Sequence, residues 1–159
     1  METFSIGSND RSWTTAGSFR GNVFRVRRPV TLARFEMYLA PQEVCELQFV
    51  VYSAPQTSKR YTLEWSTTRK AKPTAQFYSS GDIDLRVEAG RSVVLGVGWS
   101  RECEYFSSVY GEYDGSQTSL GVFVASVWDN AYTNKPGFVP RNTGVYNNAC
   151  YHQVISVVP

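Results

Sequence analysis

Apolar and polar side chains alternate with a period of two along most of this chain, and that pattern restricts its fold more than any other feature. Phe35, Met37 and Leu39 alternate with Arg34, Glu36 and Tyr38. Cys45, Leu47, Phe49 and Val51 alternate with Glu46, Gln48, Val50 and Tyr52. Similar runs include Phe24–Arg27, Tyr61–Ser66, Asp82–Val87, Val122–Val127 and Tyr151–Val158. Successive strand side chains point to opposite faces, so the pattern predicts strands with one buried and one wet face. The run Val93-Val94-Leu95-Gly96-Val97-Gly98-Trp99 is apolar on both faces and predicts a central strand.

The interruptions fit the same reading. Pro29, Pro41 and Pro55 break ladder pairing because proline has no N–H, and Gly90 and Gly115 tolerate turn geometry. No segment of about ten residues or more shows the 3.6-residue period of an amphipathic helix. Eight or nine short strands at this spacing predict an all-β fold: an antiparallel β-sandwich, of jelly-roll type, with long aromatic loops.

Composition agrees. The chain has 19 Val and 12 Thr against 7 Leu and 4 Lys, with 10 Tyr, 9 Phe and 4 Trp. Side chains branched at Cβ and aromatic rings fit a pleated surface. The 159 residues, with no linker or repeat, predict one domain over 1–159. Hydrophobic residues make up 42% and charged residues 19%, which excludes a disordered chain. No apolar run approaches the roughly 20 residues of a membrane-spanning helix, so no membrane insertion is expected. The net charge of +2 is too small for a dedicated nucleic-acid binder.

Cys45, Cys103 and Cys150 form no CxxC pair and so offer no zinc-ribbon or thioredoxin-like motif. Cys45 is expected as a buried thiol, and Cys103 could bridge Cys150 if the protein is secreted. Met1 leads straight into Glu2-Thr3-Phe4-Ser5-Ile6 without the features of a signal peptide. The alternatives are a cytoplasmic protein or a trimmed module with an added Met, and surface chemistry rich in Ser, Thr, Tyr, Asn and Gly, with few Lys, favours the second, an extracellular or cell-surface module.

Several segments resemble bacterial jelly-roll accessory modules, carbohydrate-binding modules included. They are Gly21-Asn22-Val23-Phe24-Arg25-Val26 with Pro29-Val30-Thr31-Leu32, Phe49-Val50-Val51-Tyr52, the turn Leu85–Gly90, and Val94-Leu95-Gly96-Val97. The resemblance covers residues 20–100 and is one of strand and turn rhythm. It implies the fold and glycan binding, and it transfers no site residue.

Catalytic patterns are sparse. His152 is the single histidine, and Cys150 would share its strand face two residues away, as a loose Cys–His pair. Neither GxSxG nor HExxH occurs. Glycoside hydrolysis needs two carboxylates, and the candidates are Glu36, Glu46 and Glu64, or Asp82 and Asp84; Glu36 and Glu46 would serve if they lay on adjacent strands, but pairing with Arg25, Arg27 or Arg34 is the plainer role. No cofactor is called for. Asp82 with Asp84, Glu112 with Asp114, and Asp129 with Asn130 are compatible with a structural calcium ion, though without EF-hand spacing. Arg20, Arg25, Arg27, Arg28 and Arg34 fall within one short stretch, and suit either cross-strand ion pairs or an acidic polysaccharide.

The aromatic residues carry the functional expectation. A Trp or Tyr ring covers the C–H face of a sugar while Asn, Asp and Gln bond its hydroxyl rim. Trp128-Asp129-Asn130-Ala131-Tyr132 places both types together. So do Tyr110, Glu112 and Tyr113, and so does Tyr146-Asn147-Asn148 before the last strand. Trp13 sits in a polar stretch, Asn9–Ser18. If loops 9–18, 105–116 and 128–148 meet at one end, Trp128, Tyr132, Tyr110 and Tyr113 would stack on sugar and Asp129, Asn130 and Asn148 would bond it. Trp65 and Trp99 are assigned to the core. The leading expectation is a non-catalytic domain binding a carbohydrate or cell-surface glycan. The alternative is a structural or assembly module with a protein partner or self-association, and an enzyme acting on glycosides ranks third.

Overall fold

The computed structural model describes residues 1–130, 137–138, 141–142 and 148–159. The described residues form strands, turns and coil without a helix. Two antiparallel sheets pack face to face as a β-sandwich. The first has the order β1 (Glu2–Ile6), β14 (Gln153–Val158), β4 (Val30–Pro41), β10 (Cys103–Ser107), β2 (Arg11–Thr15). Both β8 (Leu85–Val87) and β7 (Gln76–Ser79) also pair with the long β4. The second sheet has the order β12 (Gly137–Phe138), β6 (Tyr61–Ala71), β5 (Cys45–Pro55), β9 (Arg91–Trp99), β3 (Ser18–Arg25), β11 (Val122–Asp129), β13 (Arg141–Asn142).

Alternation decides which side chains meet. Phe35, Met37 and Leu39 of β4 face Leu47, Phe49 and Val51 of β5 and Val93, Leu95 and Val97 of β9 across the inter-sheet core. Edge-to-face pairs knit this core: Phe35 with Phe49 at 5.7 Å, and Phe24 with Phe123 at 6.0 Å. Each fully buried Phe contributes about 1.5–3 kcal/mol of apolar burial. The expected central strand is β9, paired with β3 on one edge and β5 on the other. Its opposite face adds Val94 to a second buried cluster with Phe19, Val23, Val50 and Tyr52. A Cβ on Gly96 would collide with the Phe19 ring, which explains a glycine inside an otherwise bulky strand.

A polar network crosses the core near β14. Asn22 Nδ2 donates to the Gln153 side-chain oxygen and to the Tyr151 carbonyl, both at 2.9 Å. Gln153 Nε2 donates to the Leu95 carbonyl at 2.9 Å. Asn22 and Gln153 are fully buried, so every satisfied bond here also fixes the registry of one sheet over the other.

Several expectations need correction. The polar stretch Asn9–Ser18 is not a loop: it contains β2, an edge strand paired with β10, whose exposed side chains leave no apolar alternation to read. Tyr105 lies on β10, and Trp128 and Asp129 end β11 rather than opening a loop. Glu36 and Glu46 are not on adjacent strands. Glu36 is on β4 of the first sheet and Glu46 on β5 of the second, each on the outward face because its neighbours fill the core.

The cysteines are all free and buried, so no bridge joins Cys103 to Cys150. Cys150 belongs to the core, whereas His152 stacks on Tyr38 of the outer face, so the expected shared face does not exist. The alternation slips at Tyr151, which bridges Ser107 ahead of β14. Among the described residues the ion pairs are Arg34–Asp82, Arg86–Glu88 and Arg101–Glu43, not pairs with Glu36, Glu46 or Glu64.

Candidate functional site

Strand β3 reads Ser18-Phe19-Arg20-Gly21-Asn22-Val23-Phe24-Arg25. Phe24 packs between the sheets, and Phe19 and Val23 pack on the far face. Alternation therefore puts Ser18, Arg20 and Asn22 on the inter-sheet side with Phe24. The interior of the sandwich turns from apolar to polar along this one strand. On the neighbouring β11, Trp128 lies opposite Arg20 and Ser126 opposite Asn22.

A cleft of about 300 Å³ opens at that polar end. Trp13, Tyr105, Tyr110, Trp128 and Tyr151 wall it, with Arg20, Ser107, Ser126, Asn130 and Ala149. Rings and guanidinium groups interleave along it. The Arg11 guanidinium lies 5.0 Å from the Tyr110 ring centre and 5.3 Å from that of Trp13. Trp13 stacks on Tyr105 at 6.1 Å, and Tyr105 meets Tyr151 edge-on at 6.0 Å. The Arg20 guanidinium lies 4.6 Å from the Tyr105 centre and 5.7 Å from that of Trp128.

Hydrogen bonds hold the walls from behind. Arg20 Nη1 donates to the Phe19 carbonyl at 2.8 Å, the Asp129 carbonyl at 3.2 Å and the Ser18 hydroxyl. Nη2 donates to the Tyr105 hydroxyl at 3.3 Å. Tyr151 is fixed through its backbone by Asn22, and burial pushes its phenol well above the ordinary value despite the nearby Arg20. Trp99, behind Tyr105 at 5.6 Å, donates its indole N–H to the Thr15 carbonyl. Gly7, at φ +81°, lies so close to the Tyr151 and Cys150 carbonyls that only a residue without Cβ fits. The mouth remains accessible: Trp13 is 39% and Tyr110 55% exposed.

A second cleft, about 340 Å³, lies among Glu2, Arg27, Arg28 and Leu120 and has no aromatic side chain in its lining. Its size alone gives it no platform for a ring. Among the described residues, no group of three or more His, Cys, Asp or Glu stands together to hold a metal ion. Burial pushes the Cys150 thiol well up and the His152 imidazole down. His152 Nδ1 meets Asn9 Oδ1 at 2.8 Å, outside the cleft.

The residues expected from sequence divide into four groups. Trp128, Asn130 and Tyr110 line the cleft, as does Trp13. Asp129 contributes its carbonyl to Arg20 beside the cleft. Tyr113 and Asn148 do not line it: the Tyr113 hydroxyl donates to the Gly7 carbonyl, and buried Asn148 accepts from the Ser126 N–H through Oδ1. Both are pegs that hold the backbone behind the walls. Tyr132 lies outside the described residues, as do Tyr146 and Asn147. Tyr105 was expected in the cleft-forming loop 105–116 without being named as a contact, and Ser107, Ser126 and Tyr151 were not singled out. The one available signal was that Ser107, Ser126 and Tyr151 fall at positions next to strand cores without being apolar aliphatics. No protein-family model and no curated protein matches this sequence.

Proposed function

We propose that this chain is a non-catalytic glycan-binding domain, of an extracellular or cell-surface kind, whose sugar sits in the cleft between Trp13, Tyr110 and Trp128. The observation that carries the reading is the combination in one cleft of the exposed side chains of Trp13 and Tyr110, and of Trp128, with Arg20, Ser126 and Asn130. A pyranose ring lays its C–H face on an indole while its hydroxyls exchange water for these polar groups. The volume lies at the small end of ligand pockets, about 300–1,000 Å³, and suits one or two sugar units. A glycan array, run with calcium and with a chelator, tests it. Selective binding is expected, lost at least about tenfold in Trp128→Ala with the β-sheet circular dichroism unchanged. Binding unchanged in that variant would contradict the assignment.

A second reading has its own observation. Tyr38, Phe77, Phe106 and His152 form a half-buried aromatic group on the outer face of the first sheet. Aromatic residues of this kind are enriched at protein interfaces, which supports an assembly or protein-binding module. A stable oligomer by light scattering, broken by Tyr38→Ser and accompanied by a blank array, favours that reading.

A further inference from the structure

We propose that the cleft selects an acidic sugar and that Arg20 receives its carboxylate. The proposal rests on the glycan-binding reading and narrows it to a substrate class.

Arg20 is only 6% exposed, yet no carboxylate pairs with it among the described residues. A guanidinium held in this way keeps an uncompensated charge, which is costly unless an anion meets it. The ring faces of Tyr105 and Trp128 offset part of that cost and leave the charge in place. The donor pattern shows which edge is free. Nη1 is occupied by Ser18, Phe19 and Asp129, and Nη2 has one partner, Tyr105. Nε has no acceptor among the described residues. Nε and Nη2 form the side-on edge of the guanidinium fork, whose two parallel N–H groups match the two oxygens of a carboxylate.

A second, independent observation lies on the same wall. Ser107 Oγ is fully buried, lines the cleft and has no hydrogen-bond partner among the described residues. Buried hydroxyls are ordinarily bonded, so an orphan in a cleft is a group held ready for a ligand. A sugar acid fits the set: its ring lies on indole, its carboxylate on Arg20, and a ring hydroxyl on Ser107. A sulfate ester shares the charge but offers a tetrahedral rather than planar pair of oxygens.

The test is calorimetric titration of the unaltered chain with galacturonate, glucuronate and N-acetylneuraminate, their methyl esters, the neutral parent sugars, a sulfated galactose, and acetate. At least one sugar acid is expected to bind about tenfold or more tighter than its own methyl ester, the gain typical of a charge-assisted hydrogen-bond pair. Arg20→Lys, which keeps the charge without the fork, is expected to lose that preference while its circular dichroism stays unchanged. The comparison of acid with ester needs no variant, so a misfolded Arg20→Lys protein does not disarm it. Equal affinity for acid, ester and neutral sugar overturns this inference and leaves the glycan-binding reading standing. Tighter binding of the sulfated sugar overturns the carboxylate assignment, and acetate binding as tightly as the sugar acids overturns the sugar. No binding by any sugar overturns both.

Discussion

Asn22 grips the backbone of Tyr151 with both ends of its amide: Nδ2 donates to the Tyr151 carbonyl at 2.9 Å, and Oδ1 accepts from the Tyr151 N–H at 3.0 Å. One residue of the second sheet thus fixes a cleft wall that belongs to the first. Replacing Asn22 with Leu strands the Tyr151 amide and the Gln153 oxygen in the core. The expected loss is about 3 kcal/mol, since each buried orphan costs roughly 1–3 kcal/mol. Urea unfolding measures it, and a change below about 1 kcal/mol would show the network to be dispensable.

Gly96→Ala is expected to destabilise by about 1–3 kcal/mol, because the new methyl must displace a fully buried Phe19 ring or the strand beneath it. Phe19 precedes Arg20, so weaker sugar binding should accompany the lower melting temperature. A variant as stable as the parent would show that the ring has room to move.

The three thiols are expected to be silent in the native protein. All three are buried, and burial holds the Cys103 thiol at about 12 and pushes those of Cys45 and Cys150 upward. The thiolate is the reactive form, so a thiol-specific reagent should label none at neutral pH and all three after denaturation. Rapid labelling of one cysteine in the folded state would contradict the packing described.

His152 gives the fold a mild acid sensitivity. Desolvation lowers its pKa below the ordinary 6.5, so the unfolded chain takes up a proton more readily than the folded one. This contribution to stability is therefore complete above pH 6.5 and is lost as the pH falls from there toward the folded-state value. Unfolding curves between neutral pH and pH 5 should show that slope, and His152→Phe should remove it. An identical slope in the variant would assign the sensitivity to other groups.

The sandwich was legible in the sequence because its strands obey simple alternation: Phe35, Met37 and Leu39 announce their face without help. The cleft was legible only in part. Trp128, Tyr110, Asn130 and Trp13 were expected to gather, and they do, but Trp13 comes from the middle of β2 and Trp128 from the end of β11, while Tyr110 and Asn130 lie outside the strands. Arg20 was visible only as one of five neighbouring arginines. Its place in the cleft depends on facing inward at the end of the interior where the core turns polar, and alternation ordinarily assigns an arginine to water. Tyr113 and Asn148 have the composition of a sugar site, but hydrogen bonds to Gly7 and Ser126 commit them to the backbone. Local composition cannot distinguish a peg from a platform, since the difference lies in which distant strand the polar end reaches.

The most direct measurement follows the indole N–H signals of the 4 tryptophans by nuclear magnetic resonance during a titration with an array-selected glycan. Trp13 and Trp128 line the cleft, Trp65 packs against the core from β6, and Trp99 is tied to Thr15. The account predicts saturable shifts for Trp13 and Trp128 and a stationary Trp65. Saturable binding that moves Trp65 and leaves Trp13 and Trp128 still would contradict it.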